Sequence, residues 1–113
     1  SGIATFDQDV FINVVGGIKV TETASDLVVM LAIVSSLRDK IIPSKWIAFG
    51  EVGLTGEVRP VYNAQERLSE AQKQGFDLAI IPKGNTPKKS IKGMKIVSVG
   101  YLFQAIQYLL ENS

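Results

Sequence analysis

The chain has 113 residues, a formal net charge of +1 and 46% hydrophobic residues, the profile of a compact domain with one core. It contains no cysteine and no histidine, which excludes disulfides, thiol nucleophiles, ordinary zinc sites and imidazole bases and leaves Lys, Asp, Glu, Ser, Thr and Tyr as catalytic side chains. The longest apolar run, Leu27 to Val34, is far shorter than the roughly 20 residues of a membrane span, and no basic leader opens the chain, so a cytoplasmic protein without membrane partners is expected.

In chain order, residues 9 to 20, "DVFINVVGGIKV", are dense in β-branched and aromatic side chains broken by Gly16-Gly17, which predicts a strand, a glycine break and a short second strand. Thr23 then stands as an N-cap with Asp26 at capping-box spacing, and the run to Arg38 is apolar on nearly every side, as in a buried helix. Arg38 and Lys40 complement the dipole at its end, and Pro43 marks a connection. "WIAFG" reads as a buried strand, with "EVRPV" as its short partner across the turn from Gly53 to Gly56. Residues 63 to 75 form the clearest helix: Asn63 caps it, Ala64, Leu68 and Ala71 make an inward stripe, and Gly75 ends it. "FDLAIIP" is a continuous apolar strand stopped by Pro82, residues 83 to 94 are a lysine-rich loop, "KIVSV" is another strand, and Tyr101 to Glu111 is a closing helix. The hairpin-like start favours a two-layer α+β domain over residues 1 to 113, rather than a doubly wound sheet.

Charge is unevenly spread. Residues 1 to 77 hold ten acids against seven bases, whereas Leu78 to Leu110 hold five lysines and no acid.

"FGEVGLTGEVRPV", the helix "NAQERLSEAQKQGF" and "LAIIPKGN", in this order, resemble the C-terminal proteolytic domain of the Lon family. Within that superfamily, "DVFINVVGGIKVTETASDL", "AIVSSLRDK" and "FGEVGLTGEVRPV" are more similar to the Lon-like domain that ends the RadA (Sms) family of bacterial DNA repair and recombination ATPases. The resemblance implies the Lon proteolytic-domain fold, shared with domain 2 of ribosomal protein S5. It also implies a longer parent whose zinc-finger and RecA-like ATPase parts, with their zinc, ATP and magnesium, lie outside these residues. No metal or cofactor is expected within them.

Lon-type peptidases use a Ser-Lys dyad, in which a lysine of lowered pKa takes the serine's proton. When Gly50-Glu51 and Pro60 are set on the family motif, the lysine position falls on Gln65, whose amide has no titratable acceptor in the working range. The serine position falls on Ala24 or Ser25, depending on whether one counts from "AIVSS" or from "DVFINV". Either register lacks a working dyad, and Asp26 or Leu27 replaces the small glycine that follows the nucleophile. Ser25 reads as a first-turn residue satisfying helix N–H groups. Arg67 stays protonated, and Lys19 and Lys73 lie off the motif. Glu51, Glu57 and Asp26 have no spacing that would bring them together as paired carboxylates.

The resemblance therefore implies a non-proteolytic domain. It would act as a scaffold in a homohexameric ring and as a DNA-binding surface during branch migration, with an active Ser-Lys peptidase as the alternative. Lys88, Lys89, Lys92 and Lys95 are the candidate phosphate contacts, joined by Arg59 if its turn faces the same way. The competing reading is that these lysines are solvated surface, and Arg38, Lys40 and Lys45 form a second basic group.

Overall fold

The computed structural model describes residues 23 to 112. The strands expected within residues 9 to 20 lie outside the described residues. A 3-10 turn at Thr23–Ser25 enters helix α1 (Asp26–Leu37), followed by strands β1 (Trp46–Ala48), β2 (Glu51–Val52) and β3 (Val58–Arg59). Helix α2 (Ala64–Lys73), strand β4 (Leu78–Pro82), a 3-10 turn at Lys83–Asn85, strand β5 (Lys95–Val99) and helix α3 (Leu102–Asn112) complete the order.

All five residues of β4 are buried, and this strand lies at the centre of a three-stranded sheet in the order β1-β4-β5. Both pairings are parallel, with Ile47 opposite Ala79 and Ala79 opposite Ile96. Alternation along the strands divides the apolar residues between two faces. Leu78, Ile80 and Val99 join Leu27 and Leu31 of α1 and Ala105 and Leu109 of α3. Ala79 and Ile81 join Leu68 and Ala71 of α2 together with Phe49 and Met94.

Helices thus cover both faces of the sheet, and the expected two-layer arrangement is corrected to three layers among the described residues. The cause is β4 itself: a strand apolar on both sides needs cover on both sides. The mixed α and β content and the separate antiparallel hairpin remain compatible with an α+β domain.

The "EVRPV" strand is shorter than expected, and it is not the partner of the strand that begins at Trp46, which pairs with β4 in the other sheet. Only Val58 and Arg59 form the strand, opposite Val52 and Glu51, and Pro60 has no N–H with which to extend the ladder. The hairpin docks on the junction of β5 and α3, where Val58 donates to the Gly100 carbonyl at 2.9 Å and Leu102 to that of Gly56 at 2.8 Å.

The start of α1 departs from the capping box read in the sequence. Its cap position is Ser25, whose side chain makes no capping hydrogen bond, and the Asp26 carboxylate instead accepts the Val52 N–H at 3.2 Å. Backbone contacts take over the capping: Leu27 donates to the Gly50 carbonyl at 2.9 Å, and Gly50 donates to that of Ala24 at 2.8 Å. The helix is therefore tied to the chain between β1 and β2.

Helix α2 also begins without the expected side-chain cap, because Asn63 adopts a left-handed backbone with φ 62°. It does end where the sequence predicts. Gly75 donates to Gln72 and Phe76 to Ala71, the paired bonds of a Schellman motif.

A Cβ at Gly50 would lie 2.9 Å from Val58 Cγ1 and 3.2 Å from Pro82 Cγ, so a side chain there would push the hairpin from the sheet. Gly50→Ala is expected to lower stability by about 1–3 kcal/mol, the usual range for overpacking, as read by urea unfolding. An unchanged midpoint would show that this junction is not tightly packed.

Candidate nucleic-acid interface

The positions assigned to a catalytic dyad do not line a common cavity. Ser25, half-buried at the start of α1, lines a cavity of about 630 Å³ with Trp46, Phe49, Glu66, Arg67 and Glu70 among its walls. Ala24 is buried and also borders a second hollow with Glu51 and Arg67. Gln65 is exposed on the first turn of α2 and lines a different groove. The basic side chain in both hollows beside Ala24 and Ser25 is Arg67, and among the described residues no lysine lines either one.

The basic candidates separate according to their surroundings. Arg59 does not stand free toward solvent: Nη1 contacts Glu51 Oε1 at 3.2 Å and Nη2 contacts Glu57 Oε2 at 2.8 Å. These acids raise its pKa further, the Glu57 hydrogen bond most of all, and they place negative charge where a phosphate would approach.

Parallel pairing of β4 with β5 imposes a second separation. The connection from 83 to 94 must travel from the carboxyl end of β4 to the amino end of β5, about 16 Å for a five-residue strand. Lys88 and Lys89 stand at its middle and line a groove with Gly84 and Asn85, beside the carboxyl end of β4. Lys95 begins β5 opposite Leu78, with its Nζ 5.7 Å from the centroid of the Tyr108 ring. Lys92 lies near the same end, and its carbonyl accepts Gln72 Nε2 at 2.6 Å. The lysines expected to act as one group therefore occupy two regions.

Lys88 and Lys89 share an open groove of about 720 Å³ with Tyr62, Gln65, Asn85 and Thr86. Sequence reasoning did not identify this groove. It is held by Asn85, whose Oδ1 accepts the Val61 N–H at 2.8 Å and whose Nδ2 donates to the Val61 carbonyl at 3.2 Å. Close approach of the two walls requires Gly84, since a Cβ there would lie 2.5 Å from Pro60 Cγ. The loop is fixed further by the Thr86 and Ser98 hydroxyls, 2.6 Å apart. The partners of the Asn85 clamp are 24 residues apart, and no spacing rule announces them.

The sheet, the helices on both its faces and the groove beyond the carboxyl end of β4 define a mixed α/β domain that presents loops from a rigid core. The family model described as subunit ChlI of Mg-chelatase matches residues 1–85, and the chain belongs to that family. It is also similar to proteins named DNA repair protein RadA. It is 57% identical to that of Pseudomonas aeruginosa over 110 residues, which cover 97% of this chain and 24% of the relative. The Escherichia coli K12 protein is 57% identical over 105 residues, covering 93% and 23%, and the Aquifex aeolicus protein is 48% identical over 107 residues, covering 95% and 24%. The chain spans about a quarter of the length of these relatives. Among the described residues, no helix is long and apolar enough to cross a membrane.

The hydrogen bonds around Glu57 generate a testable titration. The Thr55 hydroxyl, donating to Oε1 at 2.6 Å, is the largest influence, followed by Arg59, and together they lower the carboxyl from its usual 4.5 to about 2. A folded value below the unfolded one contributes stability that is present above about pH 4.5 and lost as pH falls toward about 2. Carboxyl NMR should therefore place the Glu57 midpoint near 2. Thr55→Val should raise it further than Arg59→Ala, and salt should weaken the arginine's share at this solvent-facing site. A midpoint in the ordinary carboxylate range would contradict the bonding described.

Proposed function

We propose that this chain is the non-proteolytic, Lon-like domain of a RadA-type DNA repair ATPase, supplying a DNA-contacting surface and a contact for ring assembly. The observation that carries this reading is 57% identity over 97% of the chain to a protein named DNA repair protein RadA. The Lon-type fold related to ribosomal protein S5 domain 2 belongs to the same reading, and the three-stranded sheet with its helices is compatible with it. Branch migration and ATP hydrolysis would require the rest of a longer parent, where ATP, magnesium and zinc would act. A cytoplasmic location follows from the same assignment.

Two structural features support a binding role over peptide hydrolysis. Ser25 and Gln65 line separate hollows, and Asp26, at or beside the small-residue position of the peptidase motif, ties its carboxylate to the strand at Val52. The ring contact is supported by exposed apolar side chains at one junction. Leu54 tips the hairpin docked beside Tyr101 and Phe103, whose rings stack at 5.9 Å, and such surfaces suit association.

Fluorescence anisotropy with labelled DNA should show binding that weakens steeply as salt rises, because lysine–phosphate contacts release counterions. Charge reversal by Lys88→Glu and Lys89→Glu should weaken it by about tenfold or more, while unfolded casein should remain uncut. Absence of binding at low salt would remove the DNA role from this chain, and casein cleavage abolished by Ser25→Ala would restore the peptidase reading.

A further inference from the structure

The groove beside Lys88 and Lys89 contains a feature that a phosphate surface alone does not need. Tyr62 is 85% exposed and, unlike the exposed Tyr101 and Phe103, whose rings stack on each other, its ring lines the groove together with the two lysines. Its backbone is fixed on both sides. Val61 before it is held at both its N–H and its carbonyl by Asn85, and the Tyr62 carbonyl accepts Arg67 Nε at 3.3 Å. A ring carried on such a fixed backbone is a ready stacking surface that costs little to order on binding.

We propose that this groove binds single-stranded DNA, with one base stacked on the Tyr62 ring and the adjoining backbone phosphates held by Lys88 and Lys89. The inference rests on the DNA-contacting reading above and specifies the form of the ligand. Aromatic rings beside a lysine-lined groove serve single strands because an unpaired base offers its flat face, whereas the bases of a duplex are already stacked on one another. A volume of about 720 Å³ lies within the range of pockets that take small organic ligands, enough for a base and its sugar. Glu66 also lines the groove and repels phosphate, so the strand is placed with its backbone toward the Gly84–Lys89 wall. Arg59, paired with two acids, and Lys95, over the Tyr108 ring at the other end of the sheet, take no part.

The test uses anisotropy of the 113-residue chain with fluorescein-labelled oligothymidylate and with a duplex of equal length. The proposal expects tighter binding of the single strand, a loss on the order of tenfold for Tyr62→Ala and near-full retention for Tyr62→Phe. Tyr62→Ala should leave any duplex binding unchanged, whereas Lys88→Glu with Lys89→Glu should weaken both ligands. Thermal unfolding of each variant confirms that the exposed substitutions preserve the fold. If Tyr62→Ala has no effect, or reduces single-strand and duplex binding equally, base stacking is refuted while the broader DNA reading stands. If neither ligand binds at low salt, both fail.

Discussion

The molecule depends on the burial of β4 on both faces. Because Leu78 and Ile80 face one way and Ala79 and Ile81 the other, the strand cannot sit at the edge of the sheet or under a single layer of helices. It needs α1 and α3 on one side and α2 on the other, with β1 and β5 satisfying its backbone in parallel register. A slip by one residue would exchange the two sets, setting Leu78 and Ile80 against the helix that now packs on small Ala79. The neighbouring segments inherit their places from this strand, including the clamp at Gly50, whose added side chain would strike Pro82 at the strand's end.

This register also governs the distribution of charge. Sequence places four lysines within eight residues, Lys88 to Lys95, which invites reading them as one patch. Parallel strands do not permit that, because the segment joining them has to cross the length of the sheet. Lys88 and Lys89 stay beside the carboxyl end of β4, in the groove with Tyr62, while Lys95 begins β5 over Tyr108. Arg59 is withdrawn by a different cause, the carboxylates on either side of it in the hairpin.

Much of the architecture was legible in local patterns. The Ala64, Leu68 and Ala71 stripe is buried as expected, Gly75 ends its helix, the apolar run "FDLAIIP" forms a strand over 78–82, and "KIVSV" is a strand at 95–99. Three-layer packing was less visible, although an unbroken apolar strand carries its signal: alternating strands show one apolar face, and this one shows two. Capping was misread for a definite reason. Local spacing identified Asp26 as a helix-start acid, but the fold places Val52 beside it and diverts the carboxylate. The groove was legible only in part. Its lysines stood out by composition, whereas the Asn85 clamp and the exposure of Tyr62 arise from contacts between residues far apart in the chain. Gln65 was legible as a residue unable to act as a base, but its location in a different hollow from Ser25 required the structure.

On the proposed reading, nucleic acid meets one end of the parallel sheet, at the groove of Tyr62, Lys88 and Lys89, and not the lysine segment as a whole. The most direct measurement is residue-by-residue mapping of backbone amide shifts by NMR as oligothymidylate is added to the isotope-labelled chain. Shifts concentrated at residues 61 to 66 and 84 to 89, with Lys92 and Lys95 unmoved, are the expected result. Shifts centred on Lys92 and Lys95, or on the hollow beside Ser25 and Arg67, would contradict it.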